Sequence, residues 1–268
     1  MKIIDYAKEI QWLIREKYGG ILSAKAKKDI EKIKKGEPVD FVIGFAEFAG
    51  CVIDLSFRPL IPRSETEYWV LRAVEDIQSS SRKYTRAPRS VRVLDLFSGS
   101  GCIGTAILKH IPRAVVDFAE KDKKLLSQIR LNIKKVKACT VLALKNGIEQ
   151  KRYRVIYSDV FSCVRGKYDY ILANPPYIAE SRKNRVQSSV LKYEPKEALF
   201  AGKDGLSVIT RFLKEAKNYL AKKGKMYLEF DSPQKPAIEK LLKQYGYSHW
   251  QFFKDQYSKW RFVIIASI

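Results

Sequence analysis

From residue 91 onward, short runs rich in β-branched and aromatic residues alternate with longer stretches of helical period. Strands are expected at 91–97, 114–119, 153–157, 168–173 and 225–230, with helices at about 102–110, 123–136, 207–221 and 233–245. Strands separated by helices in this order build βαβ units, and βαβ units build a mostly parallel, doubly wound sheet. Two further runs, 250–254 and 261–266, are separated only by a short polar turn, so they add an antiparallel hairpin at one edge. The chain is therefore expected to be an α/β protein with its ligand crevice at the carboxyl ends of the parallel strands.

What precedes residue 91 is smaller. Helical spacing over 2–17 and 23–35 places Ile3, Tyr6, Ile10, Leu13 and Ile14 on one stripe, with Gly19-Gly20 as the break and Ser23 as an N-cap. Aromatic and β-branched residues over 41–48 and 51–57, on either side of Ala49-Gly50, predict a β-hairpin. A two-proline segment then leads to a helix over 68–77, and the polar, basic stretch 79–90 reads as a surface linker. The expected organisation is a helical segment at 1–38, a hairpin linker at 39–58 and the principal domain at 59–268. Residues 139–152 fit either a continued helix or a strand with a loop.

Composition excludes several classes. No apolar run approaches the ~20 residues that cross a bilayer, and the amphipathic start carries Lys2, Asp5, Lys8 and Glu9, so the chain reads as cytoplasmic and membrane-free; a monomer is expected, although no feature of the sequence fixes the oligomeric state. Cys51, Cys102, Cys139 and Cys163 are widely spaced and only two histidines exist, a pattern without a zinc site, and the cysteines read as reduced core fillers. With 51 Lys+Arg against 29 Asp+Glu the net charge is +22, which would draw polyanions. That leaves RNA or ribosome contact open beside the plainer reading of basic residues solvating helix faces.

Two strand ends carry the chemistry. Asp95-Leu96-Phe97-Ser98-Gly99-Ser100-Gly101-Cys102-Ile103-Gly104 falls where the first parallel strand turns into its helix, and its glycines let backbone approach a ligand closely. Glu120 ends the next strand, where an acid binds the ribose hydroxyls of a nucleoside. The loop has no Gly-Lys-Ser/Thr, so it is not a P-loop, although the spacing also satisfies a dinucleotide fingerprint. At the end of the strand 168–173 stands Asn174-Pro175-Pro176-Tyr177. Two prolines stiffen this loop and remove two donors, leaving the Asn174 side chain and nearby carbonyls as acceptors that can orient a planar NH2 group, with Tyr177 against its face.

These residues resemble the class I methyltransferases with an Asn/Asp-Pro-Pro-aromatic motif, which modify amino or amide nitrogens. Leu60-Ile61-Pro62-Arg63-Ser64-Glu65-Thr66-Glu67 narrows the resemblance to peptide chain release factor N5-glutamine methyltransferases of the PrmC/HemK type. Gly36-Glu37-Pro38, Tyr193-Glu194-Pro195, Ala198-Leu199, Asp204-Gly205-Leu206 and Leu228-Glu229 match in order, so the likeness covers about residues 36–268.

The resemblance implies a Rossmann-like class I methyltransferase fold, S-adenosylmethionine as cofactor, and class I release factors as protein substrate, methylated on the glutamine of Gly-Gly-Gln. It implies that Phe97, Ser98, Gly99, Ser100 and Gly101 hold the methionine end, Glu120 the ribose, and Asp159 and Val160 the adenine. Asn174, Pro175, Pro176 and Tyr177 would present the acceptor amide, with Asn174 also beside the cofactor. Arg63, Glu65, Thr66 and Glu67 would close the pocket from the side opposite that loop.

The sequence departs from the family at Ser64, Phe97 and Asp231, where the family has Pro, Gly and Gly. Its helical lead-in is also short. A DNA or RNA adenine amino-methyltransferase, a ribosomal-protein glutamine methyltransferase and a non-enzymatic binding module are the competing readings.

Overall fold

A computed structural model describes residues 6–83, 90–136, 141–143 and 149–267. The chain opens with helices α1 (Ala7–Tyr18) and α2 (Ala24–Lys34). Gly19, in the left-handed conformation at φ 58°, ends α1, and the Ser23 hydroxyl accepts from the Ala26 N–H at 3.1 Å to start α2. Residues 39–43, expected to open the hairpin, instead form a one-turn helix, α3 (Val39–Ile43), closed by Gly44 at φ 102°. All but Asp40 of α3 are buried. Val39, Val42 and Ile43 pack with Leu13 and Ile33 while Phe41 joins the core of the main domain, so apolar tertiary contact overrides the β propensity of Val, Phe and Ile.

The hairpin itself is β1 (Phe45–Phe48) with β2 (Cys51–Asp54), in antiparallel register from Phe45 opposite Asp54. Helix α4 runs Ser64–Lys83, beyond the expected stop at residue 77 and into the stretch read as linker. No Gly or Pro interrupts it, and Tyr170 meets Ser80 across 3.2 Å, so tertiary contact supports the extra turns. The rest of that linker, 84–89, lies outside the described residues.

Then follow β3 (Val91–Leu96), α5 (Cys102–His110), β4 (Ala114–Glu120), α6 (Lys123–Lys135), the short antiparallel pair β5 (Val141–Ala143) and β6 (Glu149–Lys151), β7 (Tyr153–Tyr157) and β8 (Tyr168–Ala173). The strand alternative for residues 139–152 is thus the one seen in its described part, while Cys139 lies outside it. After α7 (Ser188–Tyr193) come α8 (Ser207–Glu215), β9 (Leu220–Glu229), α9 (Lys235–Gln244), β10 (His249–Lys254) and β11 (Trp260–Ala266). α8 stops earlier than the expected 221, because residues 216–219 tighten into a 3-10 turn and Leu220 already pairs with Tyr168.

Seven strands form one sheet in the order β10-β11-β9-β8-β3-β4-β7. β9, β8, β3, β4 and β7 are parallel, while β11 and β10 are antiparallel. Side chains alternate between two cores: Val93, Tyr170, Leu172 and Tyr227 face α4 and α5, and Leu94, Ile171, Met226 and Leu228 face α8 and α9. Trp69, fully buried on α4, stacks on Tyr227 at 6.1 Å between centroids. A side chain of this size contributes about 3 kcal/mol through burial, which clamps α4 to the sheet.

The register fixes the site. Leu96 lies opposite both Ala119 and Ala173, and Ala173 opposite Leu228. The next residue on each of four adjacent strands is Glu120, Phe97, Asn174 and Glu229, one row along the carboxyl edge. β3 is flanked by β4, which follows it, and by β8, reached later in the chain, so the row straddles the switch point where α/β sheets bind ligands.

Candidate active site

One end of the row is a nucleoside-type cradle. Burial pushes the Glu120 carboxyl upward, opposed by backbone donors: Gly99 N–H at 2.8 Å to one oxygen and Asp122 N–H at 2.8 Å to the other. Gly99 (φ 54°) and Gly101 (φ 79°) take conformations that side chains disfavour, and a Cβ on Gly99 would meet only the Phe97 carbonyl oxygen, at 4.0 Å, so a ligand can lie against bare backbone there. Gly104 has another purpose. A Cβ there would stand 2.3 Å from the Phe118 ring, so only glycine lets α5 pack on β4.

Phe97 (φ 64°), the residue after β3, and Val160 (φ 50°), in the turn after β7, adopt left-handed backbone without being glycine. Such strain concentrates at ligand sites. Phe97 leans toward Phe212, whose ring also stacks on Phe161. Ser98 donates its hydroxyl to the Asp95 carbonyl at 2.7 Å, and Ser100 offers its carbonyl to Asn132 at 2.9 Å, so both serines hold the loop's shape. Asp159 forms a two-pronged pair with Arg211, at 2.8 and 3.3 Å, on the exposed surface just past the end of β7. Fully buried Asp95 accepts from Gly104 N–H at 2.9 Å through one oxygen and leaves the other without a partner. Burial, with Glu120 adding, raises its carboxyl to about 7. An open glycine cradle, a partly committed Glu120 and an orphaned Asp95 oxygen fit a nucleoside carrying an amino-acid tail, as S-adenosylmethionine does.

On the other side of Phe97, Asn174 opens on a cavity of about 440 Å³ lined by Leu60, Arg63, Asn174, Pro175, Tyr177, Ile178, Arg185, Val186, Gln187, Val190, Ala198 and Leu199. Its walls are apolar around a few polar groups, as in most ligand pockets. Asn174 donates its amide N–H to the Thr66 hydroxyl at 3.2 Å. Among the described residues, no group donates to Asn174 Oδ1 or to the Pro175 carbonyl, so both acceptors remain for a ligand. Pro176 completes the rigid turn without a backbone donor. The Tyr177 hydroxyl donates to Glu229 at 2.9 Å; burial first, then Glu229, raises it far above its ordinary value, so it stays protonated.

The segment from 60 to 67 divides. Arg63 lines the cavity, held by Glu194 at 2.6 Å, and Thr66 lies behind Asn174, almost fully buried. Both therefore stand at the Asn-Pro-Pro-Tyr loop itself. Glu67 turns to the hairpin, accepting from Ala49 N–H at 2.6 Å, and Glu65 accepts from the Ser64 hydroxyl at the surface. Sequence reasoning did not single out Glu229, Trp69, Glu194 or Arg185 as site residues. Glu229 left a signal, an acid closing the otherwise apolar run Met226-Tyr227-Leu228. Glu194 stood in the Tyr193-Glu194-Pro195 match, but its pairing with Arg63 is made only by tertiary folding, and Arg185, which folding brings to the cavity, left no signal.

Residues 82–202 match the methyltransferase small domain family. The chain is 31% identical to a release factor glutamine methyltransferase from Borreliella burgdorferi over 88% of its own length and 76% of that protein's. It is 32% identical to the Streptococcus pneumoniae protein of the same name, over 88% and 77%. A solved methyltransferase from Pyrococcus furiosus superposes with a TM-score of 0.53 at 19% identity, covering 82% of this chain and 90% of that one, which is a likeness of fold. With relatives of 31% and 32% identity that it matches over about three quarters of their length, the chain belongs to the release factor glutamine methyltransferase family.

Proposed function

We propose that the protein transfers a methyl group from S-adenosylmethionine to the side-chain amide nitrogen of the glutamine in the Gly-Gly-Gln motif of class I release factors. The observation that carries this reading is the pair of uncommitted acceptors, Asn174 Oδ1 and the Pro175 carbonyl, on two residues that line the cavity one strand from the cofactor cradle. The cofactor, when bound, supplies an electrophilic methyl group on sulfur.

An amide nitrogen is a weak nucleophile because its lone pair is delocalised into the carbonyl. Accepting its two N–H bonds at Asn174 Oδ1 and Pro175 O holds the NH2 group with one face toward the methyl carbon. Those two acceptors also stabilise the positive charge that grows on nitrogen as the new bond forms. Preorganised acceptors supply several kcal/mol by position and electrostatics. Tyr177, kept protonated, cannot serve as base; its ring forms one wall for the flat amide. The proton lost after transfer leaves to solvent.

Phe97 to Gly101 and Glu120 are assigned to the methionine and ribose ends, Val160 and Asp159 to the adenine side, and Arg63 to the mouth of the acceptor cavity. Thr66 supports Asn174 from behind. Glu65 and Glu67 do not reach the cavity and are assigned no contact with the acceptor. A nucleic-acid amino group is the second reading, favoured by the net charge of +22.

The test is Asn174→Ala, assayed with a release factor by peptide mapping of the methylated residue and by calorimetry for the cofactor. The expected outcome is loss of turnover on the order of a hundredfold or more, with cofactor affinity nearly unchanged. Parallel loss of affinity and turnover would move Asn174 from the acceptor to the cofactor.

A further inference from the structure

Behind the Asn174 loop lies a chain of buried polar groups, of which the methyl-transfer reading uses Thr66 and Tyr177 but neither Glu229 nor Trp69. Glu229, at the end of β9, is 1% exposed. One of its oxygens accepts from the Trp69 indole N–H at 2.6 Å and from the Thr66 hydroxyl at 2.8 Å. Its other oxygen accepts from the Tyr177 hydroxyl at 2.9 Å. The Thr66 oxygen in turn accepts from the Asn174 amide at 3.2 Å.

Counting protons makes this chain directional. An indole N–H only donates, so the Glu229 oxygen that it meets is fixed as an acceptor. A hydroxyl has one proton, and Thr66 gives it to that same oxygen. Its remaining capacity toward Asn174 is a lone pair, so Asn174 must turn its NH2 inward and its Oδ1 outward. The reverse orientation would set Oδ1 against a lone pair in a buried place, at the full cost of an unsatisfied polar group. A proton on Glu229 would lie on the oxygen facing Tyr177, whose hydroxyl can accept, and would leave the direction unchanged.

We propose that Thr66, Glu229 and Trp69 are positioning residues that fix which end of the Asn174 amide faces the acceptor. This rests on the assignment of Asn174 as the acceptor-orienting group. The three lie on α4 and β9, rigid elements clamped by the stack of Trp69 on Tyr227. Asn174, at the mouth of a loop, therefore inherits its orientation from the core. It also explains why Thr66 is buried at 2% exposure instead of lining the cavity: its partner is Asn174 and not the substrate.

The experiment compares Thr66→Val with Thr66→Ser and Glu229→Met with Glu229→Gln in the full chain. It reads kcat and KM for the release factor, cofactor Kd by calorimetry, and thermal stability. Thr66→Val, equal in shape but without the hydroxyl, should lower kcat on the order of a hundredfold, the scale of a misoriented reacting group. Cofactor Kd should stay within about twofold, well under the tenfold that 1.4 kcal/mol represents.

Thr66→Ser restores the relay, and Glu229→Gln keeps an oxygen toward Trp69. Each should recover at least about tenfold of the loss seen in its partner variant, the value of one hydrogen bond. If Glu229→Met does not fold, the Thr66 pair alone decides. Equal kcat for the Val and Ser variants, or loss of cofactor affinity in step with kcat, overturns the proposal. Full turnover by Asn174→Ala overturns instead the assignment on which it rests, whereas an inactive Asn174→Ala beside an active Thr66→Val overturns the relay alone.

Discussion

At the residue scale, the row Glu120, Phe97, Asn174, Glu229 compresses most of the chemistry into the ends of four adjacent strands. Glu120→Ala should weaken S-adenosylmethionine binding by about 1.5–3 kcal/mol for each charge-assisted bond lost, roughly tenfold or more in the dissociation constant. An unchanged constant by calorimetry would move the ribose site elsewhere. Asp95 gives a pH signature. Its carboxyl is raised from 3.8 to about 7 chiefly by burial, so the folded protein holds that proton more tightly than the unfolded chain. Its contribution to stability is complete below pH 3.8 and is lost as pH rises through about 7. Relative to the wild type, Asp95→Asn should therefore gain unfolding free energy across that window and level off above it, as denaturant titrations of the cofactor-free protein would measure. Asn174, Glu120 and the glycines were legible in the sequence because each answers a local demand of a strand end. The partners of Glu229 were not, since Thr66 and Trp69 lie 163 and 160 positions away and only the sheet register unites them.

At the element scale, the acceptor loop is held by backbone as much as by side chains. Ile178 N–H donates to Leu199 O at 2.8 Å, Ala201 N–H to Ile178 O at 3.1 Å, and Gln234 bonds the Tyr177 carbonyl at 2.9 Å. Gly205 presses against this loop at φ 75°, where a Cβ would stand 2.2 Å from Tyr177 O. Gly205→Ala should therefore cost more than the ~1–2 kcal/mol of left-handed strain alone, and lower turnover with it. Gly246→Ala is the control. At φ 66° its Cβ would meet only a lysine tip at 3.4 Å, so it should carry the strain without the collision. Equal melting temperatures for the two variants would contradict this account of Asp204-Gly205-Leu206. The α5 and β8 bounds were readable because glycine, proline or a change of period marks them. The end of α4 and the turn α3 were not, because contacts with Tyr170 and with the α1–α2 pair decide them, and local sequence carries no trace of either.

At the scale of the whole molecule, a small lead-in is joined to the doubly wound domain at several points. Buried Asp29 gathers Lys17 at 2.8 Å, Lys32 at 2.7 Å and Tyr18 at 2.7 Å, tying α1 to α2, and Arg58 bonds Glu37 at 2.6 Å beside the hairpin. The hairpin in turn meets α6, where Asn132 accepts from Asp54 N–H at 2.8 Å and also holds Ser100 of the glycine loop. The lead-in and the cofactor cradle therefore share one hydrogen-bonded framework, although they are distant in sequence. Net charge, by contrast, says nothing about the fold, and its value of +22 bears only on which partner is drawn to the surface. The most direct measurement is methyl transfer from radiolabelled S-adenosylmethionine to a purified class I release factor with Gly-Gly-Gln intact, to the same factor with Gly-Gly-Ala, and to mixed DNA and RNA. Label on the intact factor alone is the predicted result; label on nucleic acid, or on the Gly-Gly-Ala factor to the same extent, would contradict a glutamine amide as the acceptor.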